Sequence, residues 1–182
     1  MTPPTAPTAS PEKGDWYAAP DGKADSAGTE ADPVDLLTAL AQQKPGQTVI
    51  LANGVYTVGA LVTFGPKGST ERSYVKAAAG SRPVLTCGTA HPPAIDILPW
   101  CTIEGLWFGT DAKETSGGGY VHTGDYYHDI YCNNDKAGPD EGPVVAKGIH
   151  VGGEGFKIHL WHDPTNVRIY NNLIAGGLYG LV

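Results

Sequence analysis

The stretch from Gly155 to Val182 constrains the fold more than any other part of this 182-residue chain. Short alternating apolar strands, Phe156-Lys157-Ile158-His159-Leu160 and Val167-Arg168-Ile169-Tyr170, are separated by polar corners. The pattern begins to repeat at the end of the chain, where Leu181 stands 23 residues after Ile158. Asn171-Asn172 and Gly176-Gly177 supply residues that tolerate left-handed backbone, as sharp corners require. A repeat of this length suits one turn of a β-solenoid, in which each coil buries its apolar face only by stacking on the next.

The same grammar runs backwards through the chain. Ala94 to Leu98 reads as a strand, Pro99 as a turn and Cys101 to Leu106 as a strand, matching Lys157 to Leu160, Asp163-Pro164 and Val167 to Asn171. His128 to Cys132, followed by Asn133-Asn134, is one more strand and corner. With Ile97, Ile130, Ile158 and Leu181 as markers, the steps are 33, 28 and 23 residues. Unequal steps describe a constant coil with loop insertions, Gly109 to Tyr126 and Asp135 to Pro143. Such insertions gather on one face and often build a binding site. The competing architecture is an antiparallel sandwich, for which Asn53-Gly54 would be a hairpin turn.

The front of the chain has a different composition. Residues 1–14, rich in Thr, Pro and Ala, bury nothing and are expected to be a disordered leader. No apolar h-region follows Met1, so no intact secretory signal is expected here. Trp16 to Gly22 reads as a strand entering a Pro-Asp-Gly turn. The sequence predicts a helix over residues 33–43, with Asp32 as N-cap, Pro33 at the first position and an apolar stripe of Leu36, Leu37, Leu40 and Ala41. Lys44-Pro45-Gly46 ends it. Strands are expected at Gln47 to Ala52, Val55 to Val58, Arg72 to Ala77 and Pro83 to Cys87.

This order of Asp-Pro, Leu-rich helix, Lys44-Pro-Gly-Gln-Thr-Val-Ile-Leu51 and Asn53-Gly-Val-Tyr-Thr57 resembles the N-terminal cap and first coils of the pectate-lyase-like superfamily. Ala78-Ala-Gly-Ser-Arg-Pro-Val-Leu85 and Cys101-Thr-Ile-Glu-Gly-Leu106 resemble its following coils. The resemblance implies an all-β fold, a right-handed parallel β-helix over residues 15–182 with a short N-terminal capping helix. That superfamily holds lyases, hydrolases, epimerases and non-catalytic surface proteins, so the resemblance speaks for the fold and not for one reaction. Because the last strand reaches Val182 without a cap, the chain is expected to be truncated at that end, with self-association through the uncapped coil as the other outcome.

Composition excludes several partners. A net charge of −7 with no Lys/Arg cluster gives no footprint for nucleic acid. No apolar run approaches the roughly 20 residues of a membrane-spanning helix. Cys87, Cys101 and Cys132 share the inward phase of their strands and lack CxxC spacing, so they are expected to be reduced, buried core thiols rather than a zinc set. His128, His150, His159 and His162 lie in separate strands and turns without HxxxH spacing.

Alternation nominates the chemistry. With Ile95, Ile97, Ile130, Cys132, Phe156, Ile158 and Leu160 inward, Asp96, Asp129, Tyr131, Lys157 and His159 face outward as a polar ladder. What the resemblance then implies is a secreted or cell-surface polysaccharide lyase cleaving uronate glycans by β-elimination. That reaction needs the uronate carboxylate neutralised and a base at the adjacent proton. By resemblance Lys157 is the base, Asp96 and Asp129 are the acids for Ca²⁺ or substrate, and His159 and Arg168 complete the catalytic candidates. Arg168 falls on the next sheet round. Tyr131, Trp161 and His128 are the candidate sugar contacts, within an aromatic set that includes Trp100, Trp107, Tyr126 and Tyr127. The alternative function is a non-catalytic glycan-binding or structural module, and a surface Lys beside an Asp contributes little by itself.

Overall fold

The computed structural model describes residues 14–58, 62–86 and 96–108 with their side chains. Elsewhere it describes the backbone of residue 95 and of the strands within 113–175. In chain order the elements are β1 (Trp16–Ala18), α1 (Leu36–Gln42), β2 (Thr48–Leu51), β3 (Gly54–Thr57), β4 (Val62–Phe64), β5 (Ser73–Ala77), β6 (Pro83–Thr86) and β7 (Ile95–Ile97). They continue with β8 (Cys101–Glu104), β9 (Trp107–Phe108), β10 (Lys113–Glu114), β11 (Tyr120–Val121) and β12 (His128–Cys132). The last are β13 (Val144–Lys147), β14 (His150–Gly152), β15 (Phe156–Leu160), β16 (Val167–Tyr170) and β17 (Leu173–Ala175).

Among the described residues the chain is all-β apart from one short helix, and its strands are mostly parallel. Three sheets are visited in rotation. The first runs β1-β2-β5-β8-β13-β16, the second β3-β6-β9-β14-β17 and the third β4-β7-β12-β15. Each strand pairs with the strand one circuit earlier, as Val49 with Val75, Tyr56 with Leu85 and Phe64 with Ile97. Val144 pairs with Val167 and His150 with Leu173, both 23 residues on, the step read from Ile158 to Leu181. Leu181 itself, with the corners at 171–172 and 176–177, lies outside the described residues.

The pairing excludes the competing hairpin and corrects one sequence expectation. Asn53-Gly54 is not a hairpin turn, because β2 and β3 belong to different sheets. Gly54 turns the corner at φ 134, where any side chain would be strained and a Cβ would stand 2.7 Å from the Pro20 ring. Among the described strands only β10 and β11 are antiparallel, inside the insertion at 109–126. The marker Ile130 pairs with Ile95, not Ile97. The slip of two residues leaves every side chain on its face, which is why alternation could not detect it.

Like residues stack on like from circuit to circuit, and the core follows from those stacks. Val49, Val75 and Ile103 form one fully buried row, Tyr56, Leu85 and Phe108 a second, and Phe64 and Ile97 a third. Removing a Leu, Ile or Phe side chain from water contributes about 1.5–3 kcal/mol each, so these rows dominate the stability of the described sheets. Between them Thr63 is exposed and Asp96 half-buried, confirming the outward phase on that sheet. Cys101 is a free thiol buried in the core, as expected. The side chain of Cys132 and all of Cys87 lie outside the described residues.

The helix is shorter than the sequence pattern suggested, and its cap is Asp35 instead of Asp32. Val34 is still extended, bridging Ala18, with its amide donating to Tyr17 and its carbonyl accepting from Ala19. A helix therefore cannot begin at Pro33. Asp35 accepts from the Thr38 amide at 2.9 Å and from its hydroxyl at 2.6 Å. Asp32 instead closes a turn, accepting from the Ala27 amide at 2.8 Å, and this bond holds its carboxyl below the usual range. Leu36 and Ala39 are buried and Leu40 is half-buried, whereas Leu37, 58% exposed, and Ala41, also exposed, leave the expected stripe. Gly14, at the end of the expected leader, is tied to the body, its carbonyl accepting from Gln47 Nε2.

Candidate functional site

The sheet β4-β7-β12-β15 carries most of the candidate residues, because its strands offer alternating polar positions in register. Thr63, Asp96, Tyr131 and His159 form one row across all four strands. Asp129 and Lys157 are direct partners in the neighbouring row, two residues earlier on β12 and β15. Asp96 and Asp129 are therefore diagonal neighbours and not members of one row. Adjacent strands lie about 4.8 Å apart and rows on one face about 6.6 Å apart, so five candidates share one small field on a single face.

Two candidates are not brought into that field. His128 has the phase of Ile130 and Cys132, on the opposite face of β12 from Asp129 and Tyr131. Arg168 is on β16 in the first sheet, in the row of Thr102 and Val145, as its separate placement in the sequence anticipated. Trp161, together with most of the two inserted loops, lies outside the described residues. Their relation to the polar rows therefore rests on the sequence alone.

One described neighbour of the field escaped the sequence reading. Thr63 extends the Asp96 row by a strand, and only the three-residue alternation Val62-Thr63-Phe64 signals it. Beside Thr63 and Asp96 opens a groove of about 1100 Å³, bounded by α1, by the 65–70 turn and by the turn at Pro99-Trp100. Arg72 lies with its guanidinium carbon 5.6 Å from the centre of the Trp100 ring. The groove thus joins a polar sheet face to an aromatic and apolar wall.

The large pKa displacements among the described residues lie away from this face. Burial pushes the Cys101 thiol up to about 12, slightly offset by the charge of Arg72. Burial also raises the Tyr56 phenol, whose hydroxyl donates to the Ala52 carbonyl. Both are core groups. No cluster of three or more His, Cys, Asp or Glu able to hold a metal is found among the described residues.

Fold and site together define an all-β, largely parallel chain with acids, a lysine and a histidine on one sheet face. In sequence it is similar to pectate lyase L of Thermoclostridium stercorarium, with 42% identity over 118 residues. The match covers 63% of this chain and 9% of that protein, so the chain spans about a tenth of the relative's length. This likeness supports a pectate-lyase-like family. No family model matches the chain, and no solved structure matches it.

Proposed function

We propose that the three sheets are the sides of a right-handed parallel β-helix and that the chain acts as a secreted polysaccharide lyase on uronate-containing glycans. The observation that carries this reading is the register on the third sheet, where Asp129 pairs with Lys157 and Asp96 aligns with Tyr131 and His159. The likeness to pectate lyase L supports it. In this reading Lys157 removes the proton α to the uronate carboxylate. The electron pair becomes a carbon–carbon double bond, and the glycosidic oxygen β to it departs. His159, two residues along the same strand, is the group in place to return a proton to that oxygen.

Two carboxylates on diagonal positions are hard oxygen donors of the kind Ca²⁺ takes, but Ca²⁺ needs 6–8 oxygens. Asp96 and Asp129 would therefore hold it only together with water and the substrate's own carboxylate. When bound, the ion would neutralise the uronate and offset the negative charge next to Lys157, a charge that otherwise favours the ammonium form. Tyr131, in the Asp96 row, is the sugar contact this register favours.

The test is ultraviolet absorbance of unsaturated uronate with pectin, alginate and glycosaminoglycans, each with and without a chelator. A rising signal on one polymer, lost with chelator, is the expected result. A second reading is a non-catalytic glycan-binding module, in which the Asp129–Lys157 pair is only an exposed surface pair. Binding to a polymer without any unsaturated product would select it.

A further inference from the structure

The backbone at Trp100 has a conformation that its side chain opposes. Leu98 to Cys101 is a tight turn in which the Cys101 amide donates to the Leu98 carbonyl at 3.2 Å, with Pro99 at the second position. The third position, Trp100, has φ 62, and it is the one non-glycine residue with positive φ among the described residues. A turn of this kind takes Gly or Asn there, and a bulky side chain at positive φ is a steric outlier. Strain of this sort persists at sites where the side chain serves something other than the fold.

What the strained geometry delivers is an indole at the groove. Trp100 is half-buried and lines the groove, as does Leu37, which is 58% exposed. The floor reaches Thr63 and Asp96, the first two positions of the polar row that continues to Tyr131 and His159. Lys44 and Lys67 line the same groove and are exposed, two cations on a chain whose net charge is −7. An aromatic ring, apolar side chains and two exposed cations lining one groove match a sugar ring that carries a carboxylate.

We propose that this groove is a subsite for a uronate oligosaccharide, with Trp100 as the stacking platform and Lys44 and Lys67 facing the carboxylates. It extends the polar row of the third sheet toward the capping helix, and it rests on the reading of the chain as glycan-active. A Trp that only filled space would be replaced by Gly at a loss of stability. A Trp held against strain for a ligand would be replaced at little or no loss, since Gly adopts the turn freely.

The experiment measures tetragalacturonate binding by calorimetry, and thermal midpoints, for the native chain and for Trp100→Gly and Lys67→Glu. The Trp100→Gly chain is expected to keep or raise its midpoint while binding weakens by about tenfold or more. Lys67→Glu should also weaken binding, and carboxyl-reduced tetramer should bind poorly to every chain. Native-like affinity in Trp100→Gly, or no binding by the native chain, overturns the subsite. Should Trp100→Gly fail to fold, unchanged affinity in Lys67→Glu overturns it instead. Trp100-dependent binding without unsaturated product would leave the subsite standing and remove the lyase. Product formation with an unchanged KM in Trp100→Gly would remove the subsite alone.

Discussion

The alkaline edge of stability should be set in large part by one thiol. Cys101 is fully buried, and its thiol is pushed from 9.0 up to about 12. In the unfolded chain the thiol ionises near its ordinary value, so between these two values the unfolded state binds fewer protons than the folded one. Stability must then fall as pH rises through that window, and it is unaffected by this group below about pH 9. Three units of displacement correspond to an upper bound of about 4 kcal/mol, and at pH 10.5 to about 2 kcal/mol. Cys101→Ala removes the titration at a neutral-pH cost of about 1 kcal/mol for the lost sulfur contacts. Urea unfolding at pH 8, 9.5 and 10.5 would measure both chains. The two stability curves should converge or cross above pH 9.5, because the Cys101→Ala chain lacks the thiol's share of the loss. The raised Tyr56 phenol acts equally on both chains and cancels from the difference. Parallel curves through pH 10.5 would refute the reasoning.

Other outcomes follow from the same coordinates and register. Lys157→Ala should lower lyase turnover by about 10²–10⁴-fold with little change in thermal midpoint, and full turnover would reduce Lys157 to a surface charge. Asp129→Asn should raise the calcium concentration needed for half-maximal activity, measured by titrating Ca²⁺ into the chelator-treated chain. Asp35→Ala removes the acceptor for both Thr38 groups and should cost about 1 kcal/mol, or about 2–4 °C in midpoint by calorimetry, with Asp35→Asn recovering most of it. Gly22→Ala would place a Cβ 2.1 Å from the Val34 carbonyl oxygen, which accepts the Ala19 amide. A loss of about 3 kcal/mol is expected in urea unfolding, and a native-like midpoint would show that the β1–α1 link yields.

Which faces are buried was legible in the sequence, and which residues stand side by side was not. Alternation in Ala94–Leu98 correctly separated Asp96 from the buried Ile97, because the side-chain period of a strand is two. That period is blind to a shift of two residues. Matching Ile130 to Ile97 aligned Asp96 with Asp129, whereas the hydrogen-bonded register aligns Asp96 with Tyr131 and leaves Asp129 to Lys157. Short elements were lost for a related reason. Val62-Thr63-Phe64 and His150-Val151-Gly152 each offer three residues, too few to show a period, and are strands because neighbouring coils supply their partners. The helix start was misplaced because Asp32-Pro33 and Asp35 are both competent caps, and only the pairing of Val34 with Ala18 decides between them.

The turn at Trp100 shows the limit from the opposite side. Pro99-Trp100 contains no Gly or Asn, so local chemistry argues against a positive φ at its third position. The conformation is imposed from outside the turn. The Trp100 carbonyl accepts the Ser73 amide at 2.8 Å, and Arg72 packs on its ring. Register with β5 thus overrides a local preference at a turn that borders the groove. Where sequence and structure disagree through simple degeneracy, as at Ile130, the difference carries no functional meaning. Where they disagree through strain, interactions outside the turn hold the residue in place, as Ser73 and Arg72 do at Trp100, and the use of the strained side chain is tested at the groove it lines.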